Sequence, residues 1–292
     1  MVLGFMQENY DVVVIGGGPA GCAAANLVAQ TGRSTLLVER ESVPRFHVGE
    51  SLMPECYWSL QRLGVVDRMQ SSKFVRKKSV QFVTATGKES APFYFEEHDP
   101  RESSTTWQVE RADFDKILWD RAAEVGADCV DSTRVLDVLF NADGRATGVK
   151  LRMADGEVRE INSRVVMDGS GQQSFVANKL GLREDIPDLK KAAIWGYYKN
   201  ARRDEGDNAG ATVIMHTVDK ESWFWFIPLS DDITSIGCVG DSDYMLKQGL
   251  DSEARYNLEL ERCPGLQSRL ENAERVGKIR VAKEYSYWTK QH

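Results

Sequence analysis

The residues of this chain most plainly arranged for chemistry are three glycines, Gly16, Gly18 and Gly21, which form GxGxxG in Ile15-Gly16-Gly17-Gly18-Pro19-Ala20-Gly21. They follow the apolar, β-branched run Tyr10 to Ile15 and precede an alanine-rich helical pattern from Pro19 to Gln30. In that context the first glycine permits a tight turn, the second lets backbone approach a pyrophosphate, and the third lets helix and strand pack closely. The helix opened by Pro19 and Ala20 offers unpaired N–H groups and a positive dipole end to the phosphates. A second apolar run, Thr35 to Val38, ends in Glu39 and Arg40. Glu39 falls about 20 residues beyond the glycines, the spacing from which a carboxylate accepts hydrogen bonds from ribose hydroxyls. These residues imply a dinucleotide site; the plainer alternative is a glycine-rich turn that only packs tightly.

Further along, Trp223-Phe224-Trp225-Phe226-Ile227-Pro228 places Trp223, Trp225 and Ile227 on one face of a strand and the two phenylalanines on the other. Read from the residues alone, this is a buried core strand ending at Pro228. His47, His98, His216 and His292 lack metal-ligand spacing, and each reads as a core or surface residue. No metal site is expected.

The elements that must carry these residues follow from periodicity. Tyr10–Ile15, the helix after it and Thr35–Val38 make a βαβ unit. Helices are expected at Leu52 to Leu63, stopped by Gly64, and at Asp113 to Val125, stopped by Gly126. Alternating runs meet around Thr86 and Gly87, and Val135 to Leu151 reads as a hairpin turning at Asn141 to Gly144. From Ala192 to Gly240 the chain is mostly strand-like, which implies a second, antiparallel sheet. The net charge of −7, without a long basic block, argues against nucleic acid as a partner. The five cysteines are scattered and without CxxC spacing, which suggests a reducing, cytoplasmic setting; no run reaches the roughly 20 apolar residues of a membrane span, and Met1 to Asn9 does not read as a secretion signal.

Gly-Gly-Gly-Pro-Ala-Gly followed by Glu39-Arg40 resembles the FAD site of glutathione-reductase-like flavoproteins, and WxWxIP at Trp223 to Pro228 resembles the motif of the flavin-dependent halogenases. Gly49-Glu50-Ser51-Leu52 is similar to that family's GES(L) stretch near the flavin. Trp107 to Asp115 resembles the segment placing an arginine, here Arg111, near FAD, and Val166 to Ser174 resembles the second flavin motif, here Asp168 and Gly169. Their plainer readings are a surface helix cap at Arg111 and a strand-to-helix turn at Asp168. The resemblance implies a catalytic lysine in the cluster Lys73 to Phe82, with Lys77 the best match by its spacing to Phe74 and Phe82, and Lys73 and Lys78 as rivals.

The fold implied is α/β: a glutathione-reductase-like FAD-binding fold with a Rossmann-type βαβ start and an inserted antiparallel substrate region. The FAD-binding parts are expected at 1–75 and 105–190, the substrate region at 76–104 and 191–275, and a return towards the FAD domain at 276–292. The activity implied is halogenation of an electron-rich phenol or pyrrole, free or on a carrier protein, in secondary metabolism. It would use reduced FAD from a flavin reductase, oxygen and halide. Trp223 and Trp225 would wall the flavin from the substrate, and Lys77 would activate hypohalous acid beside it. A third flavin motif, a strand ending in Gly-Asp-Ala, has no match, since Gly240-Asp241-Ser242 comes too early. The chain is therefore expected to lack a C-terminal portion. Two other functions stay open: another FAD oxidoreductase, a hydroxylase or saturating reductase, and a catalytically silent flavoprotein remnant.

Overall fold

The computed structural model describes residues 6–291, so residues 1–5 and His292 lie outside it. The chain opens with β1 (Asn9–Ile15), α1 (Pro19–Ala29), β2 (Thr35–Val38), α2 (Cys56–Leu63) and α3 (Val66–Ser71). The short strands β3 (Val75–Lys77), β4 (Ser79–Val83), β5 (Phe93–Tyr94) and β6 (Thr106–Gln108) precede α4 (Arg111–Glu124). Next come β7 (Asp128–Val130), β8 (Arg134–Phe140), β9 (Ala146–Arg152), β10 (Val158–Asp168), α5 (Phe175–Lys179) and β11 (Arg183–Asp185). The remainder is β12 (Lys191–Lys199), β13 (Thr212–His216), β14 (Ser222–Pro228), β15 (Thr234–Asp241), α6 (Ser242–Leu246), α7 (Ser252–Glu261), α8 (Pro264–Leu270), β16 (Glu274–Lys283) and β17 (Tyr287–Thr289).

Two sheets organise these elements. The first has the order β7-β2-β1-β10-β9-β8, with β1 parallel to both β2 and β10. Its central strands are apolar on both faces because both are covered. Val12, Val14 and Leu37 pack against α1, α2 and α4, while Val13, Leu36 and Val149 pack on the other side. The second sheet has the order β16-β12-β15-β14-β13-β4-β5. Phe224 and Phe226 point into a core shared with Tyr256 of α7 and Leu266 of α8. Trp223 and Trp225 occupy the opposite face of β14 and remain half-buried.

Three expectations are corrected. The helix read from Leu52 begins only at Cys56, because the segment from Glu50 to Leu52 is extended and bonded to the backbone of Trp107 and Val109. Met53 precedes Pro54, and a residue before proline is pushed out of the helical region. The second sheet is not wholly antiparallel, since β4 joins β13 in parallel. It also runs past 275: β16 pairs with β12 through Lys283. No described helix is long and apolar enough to cross a membrane.

Candidate active site

The glycine turn does three separate jobs. Gly16, at φ +100°, lies so close to Gly169 that a Cβ would sit 2.5 Å from its carbonyl oxygen. A Cβ on Gly21 would meet the Gly16 carbonyl oxygen at 1.8 Å, so the helix can cross the strand only with hydrogen there. Gly18 instead faces open space, with one Arg45 guanidinium nitrogen 3.6 Å from where its Cβ would be. No side chain caps α1, whose first-turn N–H groups therefore face the turn. Gly17, which fell between the motif's positions, is also constrained: a Cβ would press on Trp119 and Glu39.

These elements frame a cleft of about 430 Å³ lined by Gly16, Gly18, Pro19, Ala20, Glu39 and Arg40 on one side, and by Gly169 to Gln173 on another. Glu39 is buried and accepts from the Gly17 N–H at 2.8 Å and the Glu41 N–H at 3.0 Å, which fixes its carboxylate at the cleft. Arg40 is exposed and pairs with Glu41. Along the floor runs an alternating chain of charge: Arg45 lies 3.4 Å from Glu39 and 2.7 Å from Asp115, and Asp115 also holds Arg111 at 2.8 Å. Arg111 reaches on to the Val48 carbonyl at 2.5 Å. His47 lines the same cleft, and burial together with the Arg111 and Arg45 charges lowers its imidazole.

Asp168 lies at the cleft's edge. Its side chain is exposed, does not line the cleft, and accepts from the Ser170 and Val176 N–H groups at 2.9 and 2.7 Å. The following Gly169 forms the wall, bonded to the Ile15 carbonyl at 2.8 Å. Arg45, His47 and Asp115 were not assigned to the site from the sequence: Arg45 and His47 belong to no local motif, Asp115 only closes the Trp107 to Asp115 segment, and Arg45 meets Asp115 only when the loop after β2 folds onto α4.

Beyond the cleft the chain turns at Gly49, whose φ of +108° and approach to Arg111 exclude a side chain. Ser51 then bridges to Gln108, so residues 50 to 52 form a fringe on β6. Lys77 comes from the neighbouring β3 and is 2% exposed. Its Nζ donates to Ser51 Oγ at 2.9 Å and the Leu52 carbonyl at 3.2 Å, and lies 5.5 Å from the Phe95 ring centre. Among the described residues it has no carboxylate partner, and burial lowers it to about 8. Lys73 is exposed on Asp231 at 2.8 Å, and Lys78 is bound to Asp207 at 2.6 Å. Each of these two salt-bridged lysines is held above the ordinary lysine range, first by its carboxylate hydrogen bond.

On the other side of that fringe, the Trp225 ring lies flat over Gly237, where a Cβ would be 2.1 Å from it. Trp195 of β12 stands 6.3 Å from Trp225, centre to centre. The residues expected from the sequence thus fall into a cleft, a buried lysine on β3 and two half-buried tryptophans on β14.

Residues 9–233 match the FAD binding domain family. The chain is 32% identical over 283 residues to a brominase of 1H-pyrrole-2-carbonyl peptidyl-carrier protein from Pseudoalteromonas luteoviolacea, covering 96% of this chain and 67% of that one. It superposes on the myxobacterial chondrochloren halogenase CndH with a TM-score of 0.85 at 34% identity, over 97% of this chain and 65% of that one. This chain belongs to the flavin-dependent halogenase family. The corresponding chlorinase of Pseudomonas fluorescens is 29% identical over 98% of this halogenase-family chain and 68% of its own. Halogenase armH3 of Armillaria mellea is 30% identical, and 58% of its length is spanned. The brominase Bmp2 superposes with a TM-score of 0.86 at 29% identity, covering 97% of this chain and 69% of that one. The cofactor of this family is FAD, and the cleft fits it: backbone at Gly18 is open to a pyrophosphate, the Glu39 carboxylate is fixed at the end of β2 on the cleft wall, and Arg45 and Arg111 line the same cleft.

Proposed function

We propose that the protein is an FAD-dependent halogenase that uses reduced flavin, oxygen and halide to halogenate an electron-rich phenol or pyrrole, free or on a carrier protein. The observation that carries this reading is Lys77, a buried amine with only neutral oxygens around it, lowered by burial to about 8. Relatives named for acting on a carrier-bound pyrrole support the substrate class. A flavin reductase would supply reduced FAD, and the unpaired, scattered cysteines suit the cytoplasm where such a reductase works.

Gly16, Gly18 and the α1 terminus would take the pyrophosphate, Glu39 the ribose, and Arg45 and Arg111 would balance negative charge. When bound, reduced FAD supplies, with oxygen and halide, hypohalous acid. Trp223 and Trp225 would separate the flavin from the substrate and exclude bulk water. As an ammonium, Lys77 would donate to the oxygen of hypohalous acid while a ring carbon bonds the halogen; the oxygen–halogen bond breaks, and the oxygen leaves as water with the ring proton. As a free amine it would attack the halogen, forming a nitrogen–halogen bond and releasing water. With a value of about 8, Lys77 populates both forms near neutrality.

The test is turnover with a reductase, FAD and air on phenols and carrier-bound pyrroles, with and without chloride or bromide. Product bearing the halogen isotope pattern, formed only with halide, is expected. Hydroxylated product formed equally in halide-free buffer would overturn the proposal in favour of a hydroxylase.

A further inference from the structure

Lys77 belongs to a longer row of buried hydrogen bonds than the two oxygens it touches. Ser51 Oγ, 2.9 Å from Lys77 Nζ, lies 2.8 Å from Thr212 Oγ1 of β13, and Thr212 Oγ1 lies 2.9 Å from Gln108 Nε2 of β6. Thr212 and Gln108 are both buried. The far end of the row has a fixed direction. Gln108 Nε2 also stands 3.0 Å from the Gly210 carbonyl, which can only accept, so the amide presents its two N–H groups to Gly210 and Thr212. It does so although its own oxygen is left without a partner among the described residues.

A hydroxyl has one proton to give, and with these partners both hydroxyls can give theirs in only one arrangement. Gln108 donates to Thr212, Thr212 to Ser51, and Ser51 to Lys77 Nζ, which must then be an amine with a lone pair. An N–H of that amine still reaches the Leu52 carbonyl at 3.2 Å. An ammonium offers no lone pair, so Ser51 must turn round to accept, and one buried hydroxyl proton is stranded. We propose that Gln108, Thr212 and Ser51 are positioning residues, a one-way hydrogen-bond chain that holds Lys77 Nζ in place as an acceptor and favours its uncharged form. The chain acts in the same sense as burial, which lowers Lys77. Of the ionisable groups around it, the Cys56 thiol at the head of α2 bears on its charge. Arg76 and Lys78 turn to Trp107 and Asp207, Glu50 is bonded to Tyr197, and Glu96 and Glu97 beside Phe95 are exposed. The functional meaning rests on the halogenase reading of Lys77, within which the chain favours the free amine as the form that meets hypohalous acid. Rotation of the Ser51 hydroxyl then frees the lone pair for the halogen.

The test reads the protonation of Lys77 without turnover. Urea stability is followed across the alkaline range for wild type, Ser51→Ala, Thr212→Val and Thr212→Ser, each beside the same protein carrying Lys77→Met, so that the difference isolates the lysine. Its folded value lies below its unfolded one, so stability rises with pH between the two, where the unfolded chain binds more protons. Removing a hydroxyl whose proton is aimed at the nitrogen eases protonation. The start of the rise should therefore move up by roughly one pH unit in Ser51→Ala and by less in Thr212→Val, while Thr212→Ser keeps the wild-type start. If Ser51→Ala does not fold, the Thr212 pair decides. A start that stays put or moves down in either Ser51→Ala or Thr212→Val would overturn the proposal, a downward shift because it makes the hydroxyls acceptors for an ammonium. Upward shifts in a protein that makes no halogenated product would leave the chain standing and count against the halogenase reading alone.

Discussion

Gly18 and Gly21 are three positions apart in one motif, yet they are glycine for different reasons, and the difference is measurable. A side chain at Gly21 collides with backbone, whereas one at Gly18 enters the cleft from an ordinary φ of −79°. Gly21→Ala is expected to lower folding stability by roughly 1–3 kcal/mol, the usual cost of overpacking. Gly18→Val should leave the melting temperature alone and weaken FAD binding by roughly 1–3 kcal/mol, as phosphate contacts go unmade. Melts and fluorescence titrations on both variants decide this; equal effects on folding would contradict it. Lys77 makes a prediction about pH. Its folded value of about 8 lies below the ordinary 10.5, so between these values the unfolded chain binds more protons. Stability should therefore rise as pH climbs from about 8 to about 10.5, and below that window the buried charge costs about 3 kcal/mol. Lys77→Met is expected to be the more stable protein near pH 7 and to lose that rise, as followed by urea denaturation. The spacing within the cluster picked out Lys77, but its isolation from carboxylates was not legible in it, because Asp207 and Asp231, which occupy its neighbours, come from distant segments.

Among the elements, the βαβ start, the hairpin of β8 and β9 and the strand of Trp223 to Pro228 were readable because their periodicity and glycine turns are local. Pairing direction was not, since alternation says which face is buried and nothing about the neighbour; the parallel join of β4 to β13 could not be seen. Nor could the floor of the cleft, where the loop after β2 is fastened to α4 through Asp115. That carboxylate is 1% exposed between two guanidinium groups that are themselves about one-tenth exposed. Removing one member of such a group strands the charges that remain, at a typical cost of about 3–5 kcal/mol. Asp115→Ala is expected to lose stability on that scale and to bind FAD more weakly as the Arg45 loop loosens. A small change in the chemical-denaturation midpoint would show that the loop is held by other means.

At the scale of the molecule, the two sheets divide the work. The first carries the dinucleotide turn and both walls of the cleft, the second carries the tryptophans, and the fringe from Gly49 to Leu52 runs between them on β6. The chain spans 67% and 68% of the two carrier-pyrrole relatives, so the division is described for the part they share. The glycine motif, Glu39 and the aromatic hexapeptide made this organisation legible as a family resemblance. Arg45, and a place for His47 in the cleft, became visible only when the loop after β2 was seen folded. If the division is right, oxidant production and its use at the substrate are separable by a change at Lys77, which stands on β3 beside β6 and outside both sheets. The direct measurement is to run wild type and Lys77→Ala side by side with reductase, FAD and bromide, following flavin oxidation by absorbance and product by mass spectrometry. Both should oxidise reduced FAD at similar rates while only wild type yields brominated product; undiminished bromination by Lys77→Ala would contradict the account.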